Sequence, residues 1–362
     1  MTIQFHLEET SIDELAIPST LDSVDGRAFV EMTELRNTIE REVLGTGDTE
    51  STPRELLSAF SDRFAPKRLF LARANGRIIA RGVYEWQPEE DAPAAFLELQ
   101  VVKGARGRGV GAAMLDVLEA AAVSDGLTVF QAWSSHVLPV SADVLSPPTG
   151  FGAIERNSPA ARFALAHGYR LEQVDRISRI DLPIDRALLE QRRRDAQAHA
   201  ADYAVVQWVG RCPDEWLADM ARMHQRMSTD APAAAIEFAE EQWDETRMRN
   251  LDDRNEAGGR VNLTSAALHI PSHRLVGYSD IALPEQEGSP AIQEDTLVLK
   301  EHRGHRLGML LKVANLEQLM AVSPKTPRIT TFNAEENRPM LNVNEAVGFV
   351  ATGCEAAWKK TL

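Results

Sequence analysis

The chain has 362 residues, 44% hydrophobic and 26% charged, with a formal net charge of −15. The length suits two domains, and the acidic balance holds in residues 1–182 (18 basic, 27 acidic) and in 183–362 (21 basic, 27 acidic), which argues against a nucleic-acid partner. Only two cysteines, Cys212 and Cys354, are present, so neither a disulfide scaffold nor a zinc cluster is expected; no segment approaches the ~20 apolar residues of a membrane span, and a membrane-free cytoplasmic protein with no metal site is expected.

Along the chain, helical patterns cover 26–44 and 53–64. Residues 69–84 read as a β-hairpin turning at Asn75-Gly76. An apolar β-type run from Phe96 then enters Arg106-Gly107-Arg108-Gly109-Val110-Gly111, followed by a helix at 112–123 and a strand at 128–133. A Pro/Gly/Ser-rich loop, 136–152, precedes a helix led by Asn157 that ends in Gly168-Tyr169, and a strand at 170–182. Residues 184–199, with Arg192, Arg193 and Arg194, read as a linking helix with a solvated charged face.

The same order then returns. Helical patterns at 214–227 and 240–254 precede a hairpin at 264–278 and a strand that enters Arg303-Gly304-His305-Arg306-Leu307-Gly308. A helix at 309–320, a strand at 328–332, a helix from Asn337 to Gly348-Phe349 and a strand at 350–361 complete the set. Arg106 and Arg303 lie 197 residues apart, as do Gly111 and Gly308; Arg77 and Arg274 each lie 29 residues before the turn arginine. A repeat this long implies duplicated domains. The expected organisation is a domain over 1–182, a linking helix over 183–202 and a second domain over 203–362.

A strand, a Gly/Arg turn and a helix start make an anion cradle of backbone N–H groups. In this order of elements, the chain resembles the GNAT superfamily of N-acetyltransferases, present twice. The family motif Gln/Arg-x-x-Gly-x-Gly/Ala is matched by Arg106, Gly109 and Gly111; the second copy has Arg303 and Gly308 but places Arg306 where the first glycine belongs. The resemblance implies an α/β fold of two tandem GNAT-like domains, each a mixed, mostly antiparallel twisted sheet flanked by helices. It also implies acetyl-CoA as co-substrate. Its pyrophosphate would lie on Arg106, Gly107, Arg108, Gly109, Val110, Gly111 and Ala112, and in the second copy on Arg303, Gly304, His305, Arg306, Leu307, Gly308 and Met309. The pantetheine arm would run along Val101, Val102 and Lys103, or along Val298 and Leu299. If Arg306 needs a positive φ it is strained; if it is already helical it only adds a cation. Asn333 and Asn337 would line the pantetheine side, or serve as turn and helix-cap residues.

Amine attack on a thioester needs a group to take a proton. Glu98 and Asp295, each three residues before the strand position Val101 or Val298, are candidates for that base; the alternative for each is an edge carboxylate in a salt bridge. The tyrosine that protonates the thiolate in this family falls at Ala164 and Asn344, so neither copy carries it there. The resemblance implies direct transfer of an acetyl group to the amine of a small molecule in a ternary complex; a monomer or homodimer is expected. The alternative is an acetyl-CoA-binding regulatory or structural protein, silent in one or both halves. A third reading, a dinucleotide fingerprint at Gly107-x-Gly109-x-x-Ala112, ranks below both, because three strands come first and the next strand runs into Gln131 rather than an acidic residue.

Overall fold

The computed structural model describes residues 10–89 and 94–362. In chain order the elements are β1 (Ser11–Leu15), α1 (Val24–Leu44), α2 (Pro53–Phe60), β2 (Lys67–Ala74), β3 (Arg77–Trp86), β4 (Ala94–Val101), α3 (Val110–Ser124), β5 (Val129–Val137), β6 (Val144–Leu145), β7 (Ile154–Glu155), α4 (Pro159–Ala166) and β8 (Arg170–Asp181). They continue with α5 (Arg186–Gln197), β9 (Tyr203–Val209), α6 (Leu217–Asp230), α7 (Glu245–Gly258), β10 (Arg260–His269), β11 (Arg274–Pro284), β12 (Ala291–Val298), α8 (Leu307–Val322), β13 (Arg328–Ala334), α9 (Arg338–Val347) and β14 (Val350–Thr361). No helix among the described residues is long and apolar enough to cross a membrane.

The chain forms two compact units. The first comprises the described part of Met1–Val174 together with Ala234–Ala239 and Cys354–Leu362; the second comprises Asp175–Ala233 and Glu240–Gly353. This corrects the expected halves. The first sheet runs β1-β2-β3-β4-β5 and is completed by β14, the last strand of the chain, whereas the second runs β13-β12-β11-β10-β9 and is completed by β8. The two closing strands have changed places relative to the repeat. Helix α5 is likewise part of the second unit. Arg192 donates to the Ala346 carbonyl at 3.0 Å and Arg193 pairs with Glu317, so the arginine run is partly spent on packing contacts instead of lying on a solvated linker.

Both faces of each sheet are covered. In the first unit Phe29, Met32, Leu35 and Ile39 recur on one face of α1 and pack with Leu69, Leu71, Ile78 and Val83. On the opposite face Met114, Leu115 and Leu118 of α3 pack with Tyr84, Leu97 and Phe130. That two-sided cover makes β3 a nearly continuous buried run instead of an alternating one. The second unit repeats the plan, with α6 and α7 contributing Met220, Met223 and Met248 and α8 contributing Leu310 and Leu311. The hairpin expected at Asn75-Gly76 forms with both residues at positive φ, 51° and 74°. The helix expected from Asn157 is capped instead by Ser158, whose hydroxyl accepts from Ala161 N, because the Asn157 amide is drawn to Asp143 at 2.6 Å.

Candidate active site

The two cradles share one construction. β4 ends at Val101, a 3₁₀ turn covers Lys103–Ala105, and α3 starts after Gly109 without a side-chain cap. β12 ends at Val298, a 3₁₀ turn covers Lys300–His302, and α8 starts after Arg306, again without a side-chain cap. The first-turn amides of Val110–Ala112 and Leu307–Met309 are thus left for an incoming anion. The turn arginines brace the loop. Arg106 Nε donates to the Val101 carbonyl at 2.8 Å and its guanidinium lies 3.6 Å from Glu42. Arg303 donates to the Val298 carbonyl at 3.0 Å and pairs with Asp230 at 2.9 Å.

Two differences separate the cradles. Gly109 has φ +87°, Gly107 +71° and Gly304 +90°, and Arg306 takes the left-handed conformation with φ +55°. The second turn therefore keeps the glycine geometry with a non-glycine residue, at a cost of roughly 1–2 kcal/mol. The second difference lies one turn further on. A Cβ on Gly111 would meet the Phe163 ring at 3.2 Å and Val101 at 3.7 Å, whereas a Cβ on Gly308 would have nothing within 4 Å. Phe163 wedges between the helix start and the strand in the first unit, and the corresponding space in the second is open. His305 stays at the rim, its ring 5.2 Å from that of Tyr203.

Beyond the cradles the parallel strands part. β4 and β5 are paired from Ala94/Val129 to Leu97/Ala132, and β12 and β13 only at Ala291/Ile329 and Ile292/Thr330. Val101 and Val298 lie past these points, at strand ends with no ladder on that side, and Val102, Lys103 and Leu299 follow them into the 3₁₀ turns. Glu98 and Asp295 sit at the openings, one in each unit. β12 also bulges. Ser279 pairs with Thr296 and Ile281 with Gln293, so Asp280 stands opposite both Glu294 and Asp295. β4 runs in unbroken register, with Val83 opposite Glu98.

The partners of the two carboxylates differ in kind. Glu98 receives a 2.7 Å bond from Arg81, whose side chain is 1% exposed. Desolvation pushes the Glu98 pKa up, but the charges of Arg81 and Arg36 outweigh it and hold the carboxyl below its ordinary value. Asp295 receives a 3.0 Å bond from the neutral hydroxyl of Tyr278. Burial, with Glu294 adding repulsion, lifts Asp295 to about 6 against the weaker opposing effect of the Tyr278 bond. Tyr278 holds the position 197 residues after Arg81, so the repeat exchanges a cation for a phenol.

The phenol also stands 3.4 Å from Nδ1 of His224, which burial holds neutral by lowering its pKa to about 4. The His224 ring stacks at 4.6 Å on Trp243. Trp243, Arg222, Gln225, Asp244 and Glu245 line a cleft of about 610 Å³ beside it in the second unit. Among the buried side-chain atoms of the second unit with no hydrogen-bond partner are Gln293 Oε1, Thr330 Oγ1, Asp280 Oδ1, Asn344 Oδ1 and His224 Nε2. In the first unit the positions matching Gln293, Thr330, Asp280 and Asn344 are Phe96, Phe130, Val83 and Ala164. Of the two predicted asparagines, Asn337 caps α9 by accepting from Met340 N, and Asn333 accepts from Asn344 at 2.7 Å. Tyr278, Arg81 and His224 had not been singled out from sequence. The register that aligns Tyr278 with Arg81 was readable there, but their pairing across the strands was not.

Residues 30–138 match the acetyltransferase (GNAT) family. Among curated proteins, none matches the sequence. A tandem GNAT protein from the clavulanic acid biosynthesis pathway, solved without AcCoA, superposes with a TM-score of 0.73 at 24% identity over 98% of each chain. A GCN5-related N-acetyltransferase from Sphaerobacter thermophilus superposes at 0.60 with 13% identity, over 97% of this chain and 95% of that one. A putative acetyltransferase from Pyrococcus horikoshii gives 0.52 at 10% identity, over 99% and 92%. With its cradles and parting strands, the chain has the fold of a tandem GNAT protein, and its residues 30–138 match the acetyltransferase (GNAT) family.

Proposed function

We propose that this chain transfers an acetyl group from acetyl-CoA to the amine of a small molecule, and that the second unit carries out the transfer with Asp295 as general base. The observation that carries this reading is the Tyr278–Asp295 pair at the parting of β12 and β13. A carboxyl lifted to about 6 is ionised at neutral pH, yet basic enough to accept the proton that a neutral amine gives up as it attacks the thioester, directly or through water. Glu98, held as a carboxylate by Arg81, is a poor proton acceptor by comparison.

The cradle of Arg303–Met309 would hold the pyrophosphate on its backbone amides, and the open space over Gly308 admits the arm. The coenzyme supplies the activated thioester. The buried unpaired atoms of Gln293, Thr330 and Asn344 provide hydrogen-bonding groups in the same unit, and such groups in a folded protein call for a partner. The amine would approach from the cleft walled by Trp243. The test is CoA-thiol release over a panel of amines, run with the wild-type chain and Asp295→Asn. Release that needs both an amine and Asp295 supports the reading. Acetyl-CoA binding without release on any amine supports a silent binding protein instead, a reading favoured by the missing phenol at Ala164 and Asn344.

A further inference from the structure

In the first unit a cavity of about 270 Å³ opens where β4 and β5 part. Its wall contains the rings of Phe96 and Trp133 and the carboxylates of Glu85, Glu98 and Glu355. The two rings stack with centroids 5.9 Å apart, and Phe238, from the Ala234–Ala239 segment of the same unit, stacks on Phe96 at 5.5 Å. Among the described residues, none that lines the cavity is basic. Lys67 pairs with Glu85 at 2.6 Å and Arg81 with Glu98 at 2.7 Å, and both cations lie outside the wall; Arg36 also acts on Glu98. Glu355 accepts from Ser135, which reaches Glu40 as well, so a further carboxylate stands behind the wall.

We propose that this cavity is a binding site for a small organic cation, recognised by the faces of Phe96 and Trp133 and by the carboxylates of Glu98 and Glu355. Aromatic faces attract an ammonium through the ring quadrupole, and the attraction grows as water is excluded. Carboxylates alone would bind any cation, inorganic ions included. Rings alone would bind any apolar molecule. The combination selects an alkylated ammonium, whose methyl or methylene groups contact the rings while its charge meets the acids. The ion pair with Arg81 suits this role, because it keeps Glu98 anionic across the working pH range, a property that disqualifies it as a base. The first unit would then hold a cation without reacting with it. The proposal does not rest on acyl transfer by the second unit.

The experiment is isothermal titration of the full chain, without acetyl-CoA, using choline as the probe and 3,3-dimethylbutan-1-ol as its uncharged isostere. Saturable choline binding is expected, with the isostere about tenfold weaker or more. Trp133→Ala should weaken choline by about tenfold. Glu355→Gln should weaken it severalfold and flatten its dependence on salt. If Trp133→Ala loses its fold by circular dichroism, Trp133→Leu and Glu355→Gln decide. Asp295→Asn should bind choline as the wild type does, which separates this result from any failure of the transfer reading. No saturation with choline, equal binding of the isostere, or binding indifferent to the cavity substitutions would overturn the proposal.

Discussion

Residues 98 and 295 occupy one position of a repeated fold and have opposite electrostatic fates. Glu98 lies against a buried guanidinium and is held as an anion; Asp295 lies against a phenol and is lifted to about 6. The carboxylate itself hardly changes. What decides its chemistry is the residue on the adjacent strand, where Arg81 in one unit becomes Tyr278 in the other. A duplicated site can thus divide into a proton acceptor and a fixed charge through a single substitution outside the strand that bears the acid. The surroundings differ as well, with a phenol backed by a buried imidazole beside Asp295, and aromatic rings with two further carboxylates beside Glu98.

The largest expected effect comes from breaking the pair at its acids. Asp295→Asn should lower kcat by roughly 10²–10⁴-fold, the range for loss of a general base, while Glu98→Gln should leave the chemical step nearly intact. Equal losses in steady-state kinetics would show that the units share the work.

Next in size is the pH profile. Asp295 acts as a base only when ionised, so kcat should rise with pH through about 6 and then level off. The Tyr278 hydroxyl stabilises the ionised form. Tyr278→Phe should therefore move the acidic limb to higher pH, by about one pH unit or less. Tyr278→Arg, which installs the partner of the first unit, should move it to lower pH. A limb that stays in place in both variants would remove Asp295 from the titration.

A third test addresses the wedge. Phe163→Ala should open the space beside Gly111 and add or strengthen a second acetyl-CoA binding event in calorimetry, without raising turnover. The smallest effect concerns backbone conformation. Gly109→Ala should cost about 1–2 kcal/mol, since φ +87° disfavours any Cβ. Arg306→Gly should leave stability nearly unchanged, because relief of the left-handed strain is offset by about 1 kcal/mol of added chain entropy in the unfolded state. Urea midpoints would measure both.

Much of this arrangement was legible in the sequence. Hairpins, cradles and helix ends are local features, written in Asn-Gly turns, Gly/Arg runs and apolar spacing, and they repeat at one offset. The left-handed Arg306 could be posed as a question because its counterpart is Gly109. What stayed hidden depends on partners distant in the chain. Nothing local in Asp295 announces a phenol rather than a guanidinium across the strand, and nothing in β12 announces its bulge. The exchange of β8 and β14 was equally invisible, since the two strands carry the same kind of pattern and either could close either sheet.

That exchange has a consequence for how the protein is made. The strand that closes the first sheet is translated only after the whole second unit, so the first unit must wait on the ribosome with an open edge. An open edge is a template for wrong pairing. The two halves are therefore bound into one synthetic fate. A gene cut between them would yield fragments that each lack their own closing strand, and evolution could retire the chemistry of one half without ever being free to discard it.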